Sequence, residues 1–381
     1  MEIRVFQSLD ELSLDQWESL AGKNYPFMRY EFLSALERCG CLGARLGWIS
    51  AHFVLFNDSG ELAGVLPSYV KTNSYGELVF DWGWAEAYQR SGLEYYPKLV
   101  TAIPYTPATG PRFLVRDNDK AVEYKKALLE AAIQFTQQNQ FSSYHLLFPD
   151  EADLAIATER GLMSREARQF HWFNKSYRCF DDFLATMVSR KRKSIKRERR
   201  KVNEAGVEID VLHGGELGHE LWQQLYPFYR DTFLLKGGTP TLTQDFFEEV
   251  SRTMGEQVVV VAAKQACEYV AAAIFFRSDT VLYGRHWGCN KQFDSLHFEL
   301  CYYQGIDYAI AHGLQRFEPG AQGEYKVSRG FEPRTTWSAH WIENPGFCSA
   351  IGDFLEREKQ YMKDYGDSLS EELPFRQGID D

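Results

Sequence analysis

The chain has 381 residues, of which 44% are hydrophobic and 15% aromatic, and its formal net charge at pH 7 is −11. This apolar content supports folded cores and excludes an intrinsically disordered chain, and the length predicts two domains of ordinary size. General binding to duplex DNA is excluded as well, because the field of an acidic protein repels a polyanion.

The lack of targeting signals in this sequence and the spacing of its cysteines predict a cytoplasmic protein. No apolar run approaches the roughly 18–20 residues of a membrane span, and Met1–Phe6 lacks the apolar region of a signal peptide. The seven cysteines are scattered without a Cys-x-x-Cys pair, which argues against disulfides and zinc sites. We therefore expect no membrane span, no bound metal and no tightly bound cofactor.

Two stretches of the chain share one plan of three consecutive strands. The predicted strands are Gly47–Phe56, Glu61–Thr72 and Glu77–Trp84 in the first half, and Glu256–Lys264, Tyr269–Asp279 and Thr280–Gly288 in the second. Each series ends at a Trp-Gly corner, and a helical segment and a further strand follow, at Arg112–Val115 and at Arg316–Gly320. The repetition predicts an internally duplicated α/β (α+β) protein, in which each unit is a mixed, largely antiparallel sheet flanked by helices.

The duplication divides the chain into a predicted N-terminal domain at 1–178, a helical connector at 179–206 and a C-terminal domain at 207–381 that carries the functional site. The connector holds nine Lys or Arg and one acid, Glu198, between Arg190 and Lys201. Most of these cations have no acid three or four residues away, so pairs within the helix cannot neutralise them. Either acids elsewhere in the fold screen them, or a phosphate-bearing ligand does. The predicted polyanion contacts are Arg190, Lys191, Arg192, Lys193, Lys196 and Arg197.

The stretch Tyr283–Ile342 carries the most chemistry. An amphipathic helix is predicted over His297–Gly313, followed by a short strand and a polar, glycine-rich turn at 319–326. Gly320 and Gly323 would let backbone N–H groups converge on an anion. Neighbouring aromatic residues are expected to bury the charges of this turn, which must then find partners.

Two simpler interpretations of this stretch are disfavoured. The turn lacks the Gly-Lys-Ser/Thr ending of a phosphate-binding P-loop. His297 and Cys301 are four residues apart and could ligate a metal, but no third ligand is evident, so we expect them to pack in the core. His286 beside Trp287 is typical of a buried strand histidine, although an acid–base role stays open.

Motifs along the whole chain resemble the FemAB-like predicted N-acyltransferases, bacterial proteins of the GNAT superfamily that are often labelled peptidoglycan biosynthesis or recognition proteins. The strings that carry the resemblance are PYTPATGPRFLV, FHWFNKSY, FDDFLATMVSRKRKSIKRER, LYGRHWG, HFELCYYQGIDYAI, EPGAQGEYKVSRGFEP, SAHWI and LPFR. They occur in the family's order and cover nearly the whole chain. The resemblance implies two tandem GNAT-like (acyl-CoA N-acyltransferase-like) domains, which agrees with the duplication.

The chain departs from the family pattern in three places. Tyr325 stands where the family's Gly-Glu-His-Lys turn has histidine, which excludes a catalytic imidazole there. A Trp and a Pro-Tyr pair that are usual near Lys236–Phe247 are missing. Asn290–Asp294 also lacks the Gln-x-x-Gly-x-Gly pattern with which many GNAT proteins bind CoA.

An N-acyl transfer needs a base for the amine, donors for the oxyanion and an acid for the leaving group. The residues that we predict to be catalytic are Glu318, Glu324, Glu299, Tyr325 and His286. The carboxylates are the candidate bases, since burial raises the pKa of a carboxyl group, and Tyr283, Tyr302 or Tyr325 is the candidate acid. Substrate or cofactor contacts are predicted for Gly320, Gln322, Gly323, Lys326, Arg329, Tyr283, Arg285, Trp287 and His297. Lys326 and Arg329 would hold a phosphate or a carboxylate.

The sequence thus predicts an enzyme that moves an acyl or aminoacyl group to an amine of a small molecule, a peptide or the cell wall. Two donors stay open. Acyl-CoA fits the superfamily, whereas aminoacyl-tRNA fits the Fem relatives and would explain the basic helix as a tRNA contact. The alternative function is non-catalytic binding of a peptide or peptidoglycan-like ligand, and its sign would be a pocket without a carboxylate.

Overall fold

The computed structural model describes residues 1–291, 293–321 and 323–376. The first half of the chain forms β1 (Glu2–Phe6), α1 (Leu14–Ala21), α2 (Tyr30–Arg38), β2 (Trp48–Ser50), β3 (His52–Phe56), β4 (Leu62–Leu66), β5 (Ser68–Lys71), α3 (Trp82–Arg90), β6 (Lys98–Thr101), β7 (Leu114–Val115), α4 (Ala121–Gln138), β8 (Ser143–Leu147), α5 (Glu151–Glu159) and β9 (Met163–Phe173). The second half forms α6 (Phe180–Ala185), α7 (Ser189–Glu204), β10 (Glu208–His213), α8 (His219–Leu235), α9 (Gln244–Met254), β11 (Val258–Gln265), β12 (Glu268–Arg277), β13 (Val281–Cys289), α10 (Leu296–Phe298), α11 (Gln304–Ala311), β14 (Arg316–Glu318), β15 (Glu332–Ile342) and α12 (Pro345–Glu371). None of the helices in these ranges combines the length and apolar character of a membrane span.

The chain folds into two compact units. Unit 1 comprises residues 1–167 and 335–364, and unit 2 comprises residues 168–334 together with the described residues from Tyr365 onward. These limits differ from the predicted domains because each unit is completed by a strand from the other half of the sequence. Residues 338–342 of β15 pair with β8 in unit 1, and residues 172–173 of β9 pair with β14 in unit 2.

Unit 1 contains the strand series β1-β3-β4-β7 and β2-β5-β6-β8-β15. The pairs are antiparallel except for β6 and β8, which are parallel. The buried face of α4, with Leu128, Leu129 and Ala132, packs against these strands in the core of the unit. Two predicted strands of this half are split in the structure, since Ala51 separates β2 from β3 and Pro67 separates β4 from β5.

The prediction of a third strand in the first half, at Glu77–Trp84, is wrong. This segment is a loop, and α3 begins at Trp82, so the predicted Trp-Gly corner lies in a helix. The loop is ordered by buried charges instead of by strand pairing. Lys98 Nζ lies 2.8 Å from Glu77 Oε2, also bonds Asp81, and is fully buried. Burial raises the pKa of Glu77 to about 7.

Unit 2 contains the strand series β10-β11-β12-β13-β14-β9. The predicted strands of the second half are confirmed as β11, β12 and β13, which pair antiparallel, while β13 and β14 are parallel. The register of β12 and β13 shifts between Ile274, which opposes His286, and Phe275, which opposes Gly284. Arg285 is therefore an extra residue, and β13 bulges at this point.

The basic helix α7 packs on unit 2 through a narrow apolar edge. Ile195 and Val202 of this helix, together with Leu184 just before it, are buried in the core of the unit, whereas Val188 is 39% exposed. The helix ends at Glu204, two residues before Gly206, whose φ of +67° is readily adopted by glycine. The segment predicted as a connector is thus part of the second unit.

Replacing Lys98 by Met should destabilise the protein strongly, because Glu77 and Asp81 would remain buried without their cation. We expect a loss of about 3–5 kcal/mol in the free energy of unfolding, measured with urea. Lys126→Met is the matched control, because the Lys126–Glu159 pair is exposed at 48% and 63% and should contribute less than about 1 kcal/mol. Equal losses in the two variants would contradict the assigned role of Lys98.

Candidate functional site

A pocket of about 260 Å³ opens in unit 2 beside the bulge of β13. Its walls come from α8 (Thr232, Phe233, Lys236), β12 (Ala273, Ile274, Phe275), β13 (Gly284, Arg285, His286, Trp287), the helical segment that follows (His297, Cys301, Tyr302) and the turn after β14 (Pro319, Gly320, Ala321, Tyr325, Lys326). The extra residue in β13 interrupts its ladder with β12 at the point where both strands line the pocket. The predicted glycine-rich turn does lie beside a cleft.

Glycines allow the turn to run close to β13. A Cβ on Gly284 would lie 3.1 Å from the Cα of Pro319, so a side chain there would push the turn away. Gly323 has a φ of +108°, and a Cβ on it would lie 2.5 Å from the Tyr325 ring. After Gly323 the chain forms a 3-10 turn, Glu324–Arg329, that carries Lys326 into the pocket.

Lys326 is a buried cation in the pocket wall. Its side chain is buried, with 1% of the residue exposed, and Nζ donates a hydrogen bond of 2.6 Å to the carbonyl oxygen of Gly320. No carboxylate among the described residues pairs with it. Burial lowers the pKa of Lys326 to about 7, so a large share of this amine is neutral at physiological pH.

Aromatic rings form a large part of the pocket wall. The His297 ring lies 5.2 Å from that of Trp287 and 5.4 Å from that of Tyr302, between ring centroids. The Tyr302 hydroxyl donates to the Tyr325 hydroxyl over 3.2 Å, and Tyr325 is 45% exposed. Burial lowers the pKa of His297 to about 4, which keeps this imidazole neutral.

The three predicted carboxylates do not line the pocket. Glu318 is buried next to it, with Arg316 Nη2 at 2.9 Å and His171 Nε2 at 4.0 Å, and burial raises its pKa to about 7. Glu324 is exposed and accepts a hydrogen bond from Tyr365, so the expected burial of all charges in the turn is wrong for this residue.

Glu299 is buried at the other side of the same helical segment. It accepts hydrogen bonds of 3.0 Å from Arg199 Nη2 and 2.8 Å from Gln304 Nε2. A π-helical turn, Glu299–Tyr303, contains this residue. The surroundings of Glu299 are those of a buried ion pair with the basic helix.

The remaining predicted residues belong to β13 or to the turn after β14. Arg285, Trp287 and Gly320 line the pocket, as does His286, whose ring packs 4.8 Å from that of Tyr229. Burial lowers the pKa of His286 well below its usual value. Tyr283 pairs in register with Glu318 and does not line the pocket. Gln322 lies outside the described residues.

Arg329 anchors the turn to the basic helix. Its guanidinium donates to both oxygens of Glu198, at 3.2 and 3.1 Å, and to the Tyr303 hydroxyl at 3.0 Å. A further nitrogen donates to the carbonyl oxygen of Tyr325 at 3.0 Å. The guanidinium also lies 3.5 Å above the Phe298 ring. Glu198, the single acid of the basic segment, thus fixes the turn that carries Lys326.

Part of the basic helix is neutralised by acids distant in sequence. Arg199 pairs with Glu299 and Asp307, Lys196 with Asp181 and Lys201 with Asp294. Within the described part of the chain, the first turn of α7 is different, since its four cations take part in no ion pair. These cations are Arg190, Lys191, Arg192 and Lys193. Arg197, further along the helix, acts electrostatically on Asp294 at longer range.

Several pocket residues were not predicted from the sequence. Thr232, Phe233 and Lys236 come from the end of α8, almost fifty residues before β13, and no local pattern marks them. Cys301 was interpreted as a core residue and lines the pocket. Glu198 carries a signal that could have identified it, because an isolated acid in a basic run needs a partner. The described residues contain no cluster of three or more His, Cys, Asp or Glu that could hold a metal ion.

Comparison with known proteins supports the predicted family and fold. The FemAB-like family model, described as peptidoglycan biosynthesis/recognition, matches residues 8–377. L-PGS from Bacillus licheniformis is similar in structure over 93% of this chain and 99% of that chain, with a TM-score of 0.55 and 12% identity. FemX matches over 92% of this chain and 100% of that chain, with a TM-score of 0.52 and 12% identity. No curated protein matches the sequence. The expected α/β architecture, with mixed, largely antiparallel sheets and flanking helices in two compact units, is confirmed.

Replacing Glu198 by Gln should loosen the turn 324–329, because Arg329 loses its charged partner while the side chain keeps its shape. Hydrogen exchange should show at least about tenfold faster exchange of the Lys326 and Phe331 amides, which bond within this turn. Glu204→Gln, on the same helix in an exposed pair with Arg200, should leave these amides unchanged. Unchanged exchange in the Glu198 variant would show that Arg329 does not depend on it.

Proposed function

The chain belongs to the FemAB-like family, and we propose on this basis that unit 2 transfers an acyl or aminoacyl group from an activated donor to an amine acceptor. One observation carries the proposal. A buried lysine amine without a carboxylate partner among the described residues lines a pocket beside a sheet bulge, and two hydrogen-bonded tyrosines line the same pocket.

Lys326 is the general base of the proposed reaction. A base works best when its pKa lies near the working pH, and burial brings the pKa of Lys326 to about 7. It takes over the role that the sequence suggested for the carboxylates Glu318, Glu324 and Glu299, none of which lines the pocket. The hydrogen bond to Gly320 holds the amine in place without giving it a counter-charge.

The reaction proceeds by attack of the neutral acceptor amine on the donor carbonyl. A C–N bond forms, and the amine proton passes to Lys326 Nζ. The C–S bond of a thioester donor, or the C–O bond of an aminoacyl ester donor, then breaks. The leaving group takes a proton from the Tyr325 hydroxyl, which accepts a hydrogen bond from Tyr302 and is therefore oriented with its own proton outward. After product release Lys326 returns its proton to solvent and the Tyr325 phenolate takes one up, which restores both residues.

The donor is either acyl-CoA or aminoacyl-tRNA, and the basic helix favours the second. Four cations in the first turn of α7 lie at the positive end of a helix dipole and form no ion pair among the described residues. Such an arrangement is electrostatically unfavourable unless an anion is close, and tRNA supplies a row of phosphates.

A second candidate function is recognition of a peptide or peptidoglycan-like ligand without chemistry. The observation in its favour is that no Asp or Glu belongs to the described residues of the pocket wall. The two functions differ in the role of Lys326, which is a base in the first and a hydrogen-bond donor in the second.

Replacing Lys326 by Met should reduce transfer by about 10²–10⁴-fold. Transfer is measured by mass spectrometry of the products formed from bulk aminoacyl-tRNA or acetyl-CoA with a pool of amines. In the wild type the rate should rise as the pH passes 7, because the neutral amine is the active form. Lys291→Met, at an exposed position, is the control. Full activity of the Lys326 variant would exclude the base role, and absence of transfer by the wild type with both donors would favour recognition alone.

Neutralising Arg190, Lys191 and Lys193 to Gln should weaken binding of bulk tRNA at least about tenfold, and the wild-type affinity should fall steeply with salt. Filter binding across a salt series measures both effects. The matched control changes the exposed Arg357, Lys359 and Lys363 of α12 to Gln, which removes the same charge elsewhere. Retention of CoA in native mass spectra, with no difference in tRNA binding between the two variants, would instead assign acyl-CoA as donor.

A further inference from the structure

The charges that line the pocket are of one sign. The described wall residues include Lys236, Arg285 and Lys326, and no Asp or Glu is among them. Glu318, next to the wall residue Pro319, is directed to Arg316 and His171 and also acts electrostatically on Arg285. Glu324, next to the wall residue Tyr325, accepts a hydrogen bond from Tyr365. An ammonium group that entered this pocket would therefore meet three basic side chains and no carboxylate in the described wall, whereas an oxyanion would be attracted.

The three basic groups differ in burial. Lys236 is exposed and caps the C-terminus of α8, where the helix dipole stabilises a cation. Arg285 is half-buried on the bulge of β13, and a guanidinium keeps its charge in proteins. Lys326 is buried and bonded to a carbonyl oxygen. The fixed positive charges thus belong to Lys236 and Arg285, while Lys326 supplies an amine that exchanges a proton.

We propose that the acceptor is an amine that also carries a carboxylate or phosphate group, which binds between Lys236 and Arg285 while its amine lies against Lys326. This inference rests on the proposed transfer and names its acceptor class. Holding the oxyanion fixes the distance of the attacking nitrogen from the base, which contributes to the rate by positioning. Simple alkylamines and polyamines are poor acceptors, because they add positive charge to a basic pocket.

Aromatic residues complete this recognition. Phe233, Trp287 and Tyr302 line the same pocket as the basic groups. They provide apolar contact for the part of the acceptor that joins its anion to its amine, and they exclude water from the reacting amine. The pocket therefore combines charged groups for one end of the ligand with a neutral, apolar surface for the rest.

The test uses matched probes that differ only in the anion. The probes are 6-aminohexanoate with its primary amide, and O-phosphoethanolamine with ethanolamine. Their dissociation constants are measured by ligand-observed NMR on the wild type. We expect the anionic member of at least one pair to bind about tenfold or more tightly, and the pair that shows the preference identifies carboxylate or phosphate as the recognised group.

Two variants assign the preference to the proposed residues. Lys236→Gln and Arg285→Gln should each remove most of the preference, and Lys291→Gln, an exposed lysine outside the pocket, should keep it. Lys236 is exposed, so its variant tests the inference even if the Arg285 variant does not fold. Equal binding within both pairs, or no binding of any probe to the folded wild type, would overturn the inference.

The outcome for the acceptor class is separable from that for the proposed transfer. Selective binding of the anionic probes without any transfer activity would support the anion-recognition site and contradict the proposed transfer reaction. Transfer to hexylamine at the rate seen with 6-aminohexanoate would support the proposed reaction and contradict the proposed acceptor class.

Discussion

One extra residue in β13 is the constraint on which the rest of the site depends. Arg285 has no counterpart in β12, so the two strands lose register between Ile274 and Phe275. Pairing recovers on both sides of the bulge, which keeps the sheet continuous within unit 2 while the wall opens locally. The parallel neighbour β14 then places the glycine-rich turn at this opening, and Gly284 lets the turn approach. Sheet geometry thus positions the pocket, and the turn supplies Lys326, the proposed base.

The basic helix serves two purposes that its composition does not separate. Its inner edge carries Glu198 and Arg199, which bond Arg329 and Glu299 and thereby hold the turn and the helix after β13 in place. Its first turn retains four cations without ion pairs in the described structure. The same segment therefore supports the pocket, and the anion contact that we propose for it uses a different turn of the same helix.

Local patterns predicted unit 2 better than unit 1. The continuous Val-rich and Ala-rich runs of β11 and β12 are typical of central strands that are buried on both faces. The alternation of residues in β13 likewise indicates a strand. Glu77–Trp84 has a similar mix of aromatic and apolar residues, yet Glu77 and Asp81 are bound by Lys98, a partner about twenty residues away that no local pattern reveals. The exchange of β9 and β15 between the halves was beyond prediction for the same reason, since strand pairing is non-local. The spacing of glycines and charged residues in the sequence identified the glycine-rich turn. Only packing decides that Lys326 is buried and Glu324 exposed.

A lysine base and an anionic acceptor are chemically consistent with each other. A buried carboxylate base would repel an oxyanion on the acceptor, and this repulsion would raise the pKa of the carboxyl group and weaken binding. A neutral lysine amine carries no charge before the reaction, so it tolerates the anion, and it gains a favourable electrostatic interaction when it takes the proton. The anion therefore stabilises the protonated lysine that forms as the C–N bond forms, which is the stage at which stabilisation accelerates the reaction. Within this pocket, the proposed base and the residues proposed to select the acceptor are parts of one electrostatic arrangement.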